Sequence, residues 1–153
     1  MDRRHLLEAL KRDAREIYRS RPDELARLEA SSGKSDSPAS LVAAYDYKAF
    51  TELLGRAQVS GGEVDDAVLA DFRRLIDRYM DVHAPGSEAF KDYVRTVSVY
   101  LAFVARRPLH PPGLRLAGDK EIALVDGAWR CPGKRKYAGD PGSLCRYCVC
   151  RSD

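Results

Sequence analysis

VSVYLAFVARRPLHPPG, residues 97–113, divides the chain in two. Residues 97–105 are apolar on nearly every side, as in a helix buried all round. The stretch after them, RRPLHPPGLR (106–115), holds three prolines and a glycine. Proline lacks the backbone donor a helix needs and pushes the residue before it toward extended backbone, so no helix continues past Arg106. Upstream of this boundary the chain reads as a helical body, and downstream as a tail of another kind.

In the upstream part, apolar residues recur at steps of three and four. Leu6, Leu7, Leu10, Ala14, Ile17 and Tyr18 mark one face of a first helix over 2–20. Pro22, with Asp23 and Glu24 behind it, opens a second helix that runs to about Ala30. SSGKSDSP (31–38) is a loop, and Ser37 followed by Pro38 is a helix start. The third helix spans 38–58 on Leu41, Val42, Tyr45, Phe50, Leu53 and Leu54. The fourth spans 64–82 on Val64, Val68, Phe72, Leu75, Ile76 and Tyr79. Ser87 and Glu88 open the fifth, which presents Phe90, Tyr93, Val94, Val97, Tyr100, Leu101 and Val104 and is the central one.

In the downstream part, Asp126-Gly127 between two short apolar runs in EIALVDGAWRC signals a two-residue β-hairpin turn. The second strand leads into Cys131. Residues 132–143 are mostly Gly, Pro, Lys, Arg and Asp, a composition that cannot build its own core. All four cysteines of the chain fall within 131–150, spaced Cys131-x13-Cys145-x2-Cys148-x-Cys150. Two thiolates separated by two residues reach one tetrahedral ion from a tight turn, and a third arrives from the end of the hairpin. The fourth ligand is Cys150 or, alternatively, His110 in the proline-rich connector. Zn2+ is the default ion for such a site; a 4Fe-4S cluster, which takes cysteines in similar spacing, is the alternative.

The expected fold is mainly α: about five helices in a bundle, with a C-terminal β-hairpin and a Cys-rich metal-binding turn. Residues 1–106 form the bundle, and residues 107–153 form the connector, hairpin and metal module packed on it as one structural domain. Residues 1–104 carry 16 Lys+Arg against 18 Asp+Glu, and residues 105–153 carry 10 against 5, so the tail is basic. Lys134, Arg135 and Lys136, beside Tyr137, could contact an anion or nucleic acid. A solvated loop next to anionic thiolates accounts for them better. Arg106 and Arg107 stand where cations tie off a helix C-terminus, and His83 closes the fourth helix.

The charged start lacks the apolar run of a secretory signal, and no stretch approaches the length of a membrane span. The expected setting is the cytoplasm, where clustered cysteines serve metals rather than disulfides. No GxGxxG, P-loop, HExxH or GxSxG motif is present, so no catalytic residue is assigned. The residues point to a non-catalytic, metal-stabilised interaction protein. Its expected partner is a protein, with RNA through the basic tail as a lesser option.

Leu109-His110-Pro111, Cys131-Pro132 and Cys145-Arg146-Tyr147-Cys148 together resemble a family of small proteins of unknown function found mainly in methanogenic archaea. The resemblance implies no activity. It does imply an anaerobic cytoplasm, which gives more room to the iron–sulfur alternative: a redox or enzyme-accessory protein.

Overall fold

The computed structural model describes residues 1–117 and 120–152. Each helix begins where side-chain chemistry favours it. α1 (Arg3–Ser20) is capped by Asp2, whose carboxylate accepts from the Arg4 N–H at 2.7 Å. α2 (Pro22–Ser31) and α3 (Pro38–Gly55) both open on proline, and Ser37 caps α3 by accepting from the Ser40 N–H at 3.2 Å. α4 (Asp66–His83) is capped by Asp65, which accepts from the N–H groups of both Ala67 and Val68. α5 (Glu88–Val99) runs without a break into a π-helical segment, Tyr100–Ala105.

Two of these boundaries differ from the sequence expectation. α3 stops at Gly55 rather than 58, because Gly55 is a poor helix former and the Arg56 N–H closes a tight turn on the Leu53 carbonyl. Val64 lies outside α4. Its N–H donates to the Met1 carbonyl at 2.8 Å and holds the chain start against residues 62–64. A third finding, the π-helical segment, has no counterpart in the apolar pattern, which reads the same for α and π winding. The segment ends at Arg106, in the left-handed region at φ 54°, with the Arg107 N–H bonded back to the Leu101 carbonyl.

The core of the body lies where α1, α3, α4, α5 and the π-helical segment meet, and Leu6, Leu53, Phe72, Ile76 and Tyr100 are fully covered there. The π-helical segment is buried along Tyr100–Val104, in keeping with its apolar sequence. Tyr18, Leu41, Val68 and Tyr79, assigned to apolar faces by their spacing, are exposed.

The tail contains two small antiparallel strand pairs. β1 (Arg115–Ala117) pairs with β2 (Lys120–Glu121), and β3 (Ala123–Val125) pairs with β4 (Ala128–Arg130) in the register Leu124 opposite Trp129. The second is the expected Asp126-Gly127 hairpin. Both turn residues have positive φ, 50° and 76°, the conformation that matches a tight turn to strand twist. The first is an addition to the expected fold; its strands are too short to show alternation. A single-turn helix α6 (Lys134–Tyr137) and a 3-10 turn (Leu144–Tyr147) complete the tail. Among the described residues, no helix is long and apolar enough to cross a membrane.

Candidate functional site

Three sets of contacts set the tail against the body. Tyr45 on α3 donates its hydroxyl to the Pro108 carbonyl at 2.7 Å. Arg107 donates to Glu52 at 2.9 Å, and the same Glu52 oxygen accepts from Tyr100 at 2.5 Å. The Tyr147 ring meets the edge of Phe72 at 5.2 Å, which roots the Cys145–Cys148 turn in the core. Arg106 bonds the Ala102 carbonyl at 3.0 Å, the helix-closing role expected of it.

Within the tail, the backbone brings the cysteines together. The Cys131 N–H donates to the Arg151 carbonyl at 3.0 Å, and the Arg151 N–H donates to Trp129 at 2.8 Å, so the chain end lies along β4. This places Cys131 beside Cys150; both are buried with Leu114 and Ile122 in a second, small core. Cys148 packs against the same cluster, and none of the four cysteines is in a disulfide.

Each of two sulfurs is met by backbone donors. Burial raises the Cys131 thiol, and the nearby N–H groups of Gly133 and Lys134 act against that rise. The Cys148 sulfur accepts from the Cys150 thiol, then from the N–H groups of Leu109 and Cys150, and it is lowered. Its donor Cys150 is raised in turn, first by that same bond. A thiolate ringed by N–H groups and a nearby ammonium is the form that binds metal.

Cys131, Cys145, Cys148, Cys150 and His110 all line one cavity of about 500 Å³ between body and tail. His110 is exposed on its wall. As placed, no three His, Cys, Asp or Glu side chains among the described residues form a set that could hold an ion. The cysteines share a cavity but do not converge on a common point.

Of the basic run, Lys134 turns inward. Its ammonium donates to the carbonyls of Cys145 and Cys148, the latter at 3.0 Å, and so braces the turn. Arg135 and Lys136 are exposed, and Lys136 lies 5.1 Å from the Tyr137 ring centroid.

Sequence reading passes over Asp46, which lines the same cavity from α3. It is half-buried, and desolvation raises its carboxyl to about 7. The available signal is a lone acid set between Tyr45 and Tyr47 in an otherwise apolar stretch, which resembles an ordinary solvated position.

Residues 2–153 match the profile of a family described as "Uncharacterized protein conserved in archaea (DUF2115)". Among curated proteins, the chain is similar to a UPF0305 protein of Methanocaldococcus jannaschii, 31% identical over 71% of this chain and 66% of that protein. It is also similar to a UPF0305 protein of Methanothermobacter thermautotrophicus, 32% identical over 60% and 57% of the two chains. A third, from Methanopyrus kandleri, is 31% identical over 54% and 58%. The chain thus spans about two thirds or less of the length of these relatives. No solved structure gives a significant match.

Proposed function

We infer that this chain, which belongs to the DUF2115 family of archaeal proteins, is a metal-stabilised and non-catalytic interaction protein. Zinc is the ion, and Cys131, Cys145, Cys148 and Cys150 are its ligands, with His110 as the alternative fourth. The observation that carries this reading is the gathering of all four cysteines on one cavity wall, with backbone N–H groups aimed at the sulfurs of Cys131 and Cys148. Such donors hold thiolates in place for a metal.

Because no three ligands yet stand together, binding has to draw the Cys131 and Cys145 side chains toward the Cys148–Cys150 pair. Lys134 offsets the negative charge that four thiolates leave on a zinc ion. In this reading Lys134, the one inward residue of the basic run, serves the site, which favours a protein partner over RNA. Leu124 and Val125, 58% and 46% exposed on β3, supply apolar surface on the tail for such a partner.

The test is titration of apo protein with Zn2+ and, separately, with Co2+, monitored by absorption. Tetrahedral thiolate ligation of Co2+ gives intense visible bands. Cys145→Ser and Cys148→Ser should abolish them, whereas His110→Ala should leave them intact if Cys150 is the fourth ligand. Retention of the bands in both Ser variants sinks the assignment. A brown iron- and sulfide-containing protein would instead favour the redox or accessory reading, with a 4Fe-4S cluster on the same cysteines.

A further inference from the structure

The cavity between body and tail holds one charged group that no neighbour answers. Among the described residues, Asp46 makes no hydrogen bond and no ion pair, and desolvation is the sole influence on its carboxyl. The other charged side chains of the wall are engaged. Lys134 donates to the Cys145 and Cys148 carbonyls, and Asp140 accepts from the Gly142 N–H at 2.9 Å. A half-buried carboxylate without a partner costs stability that an apolar side chain at the same position would not. Its presence is accounted for if a cation arrives from outside.

We propose that this cavity binds a small organic ammonium ion, an apolar amine in its protonated form, with Asp46 as the counter-ion. The size suits a ligand: about 500 Å³ lies within the range of small-molecule sites. The rest of the wall suits the hydrocarbon part, since Val42, Val94 and Ile122 face the same space. Tyr79 and Tyr137 also line it and are 48% and 44% exposed, so they stand toward its mouth. Tyr137 already meets the Lys136 ammonium at 5.1 Å and Tyr79 meets the His83 ring at 4.2 Å, so these rings shape the mouth and the selection for positive charge rests on Asp46. An anion would meet Asp46 and the cysteine sulfurs, and a neutral molecule would leave the carboxyl unanswered. The inference needs no metal at the cysteines.

The test is a ¹H–¹⁵N NMR titration of the full chain as purified, with benzylammonium, benzyl alcohol and benzoate as probes of like shape and different charge. Benzylammonium should shift the amides of Val42, Asp46 and Val94 saturably. Benzyl alcohol should bind about tenfold more weakly, the size of one charge-assisted hydrogen bond, and benzoate more weakly still. Asp46→Asn should bring benzylammonium down to the level of the alcohol and leave the alcohol where it was. The proposal is overturned if the alcohol binds as well as the ammonium ion in the wild-type chain. It is equally overturned if Asp46→Asn keeps the preference, or if no saturable shift appears by roughly 10 mM probe, the range of fragment-sized ligands.

Discussion

In the helical body the covered side chains are large and apolar, with Leu6, Leu53, Phe72, Ile76 and Tyr100 at 0% exposure. Among the described residues, the tail's own small core cluster is Leu114, Ile122, Cys131 and Cys150, and two of those four are thiols. The body therefore has a means of folding that needs nothing beyond its own sequence, namely burial of aliphatic and aromatic surface. That cluster is small for a tail of some forty residues rich in Gly, Pro, Lys and Arg. The tail leans on the body through Tyr45, Arg107 and Tyr147, and its remaining order is the part we assign to a metal. If a metal supplies that order, one chain joins a self-sufficient region to a dependent one, and substitutions can be chosen to probe either side of that division.

Phe72 touches both sides, stacking edge-on with Phe103 in the body and Tyr147 in the tail. Phe72→Ala should cost about 3–5 kcal/mol and lower the thermal midpoint of the whole chain. A midpoint within error of wild type would mean that the body does not depend on this core. Cys148→Ser should act on the tail alone. Hydrogen exchange should accelerate at the amides of residues 106–152 while the far-UV helix signal stays near wild type. Collapse of the helix signal would erase the distinction between the two regions, since the metal module would then be part of the main core.

Smaller effects sharpen the boundary. Asp46 has its carboxyl raised to about 7 from an ordinary 3.8, so the folded state holds this proton more tightly than the unfolded one. Its contribution to stability is then fully present below about pH 4 and lost as pH rises through about 7. Asp46→Asn, which cannot ionise, should match the wild type near pH 4. At pH 8 it should be more stable by on the order of 1–2 kcal/mol, allowing for solvent in the cavity. Denaturant unfolding at the two pH values checks this, and equal differences at both would contradict it. Glu52→Gln weakens the bonds from Tyr100, Arg56 and Arg107 and should cost on the order of 1 kcal/mol in the same assay. Gly127→Ala places a Cβ at φ 76° and should cost about 1 kcal/mol. That loss should appear in exchange at β3 and β4 but not in the helices.

The body is legible because each of its starts carries its own chemistry. Pro22, Ser37-Pro38 and Glu88 announce their helices, and most of the residues named by the apolar periods of α1 and α5 are buried, with Tyr18 exposed and Phe90 and Val94 partly covered. Asp65 carries an equally good cap signal, but the apolar Val64 draws the expected start of α4 too early. The π winding of Tyr100–Ala105 is not legible, because an all-apolar segment looks alike at either pitch. In the tail, Asp126-Gly127 announces its hairpin, whereas β1 and β2 are too short to alternate. The cysteines stand out by their clustering. Asp46 does not, because what distinguishes it is the cavity in front of it, and α3 alone cannot reveal that.

The central claim is that a metal supplies the order the tail's small core cannot. Elemental analysis of anaerobically purified protein, with its absorption spectrum recorded on the same sample, tests that claim most directly. The expected result is about one zinc per chain and no visible absorption, as for a closed thiolate site. Iron with sulfide and a brown colour would keep the metal but give the cysteines to a cluster. A tail that is fully protected from exchange in protein carrying neither metal would contradict the claim.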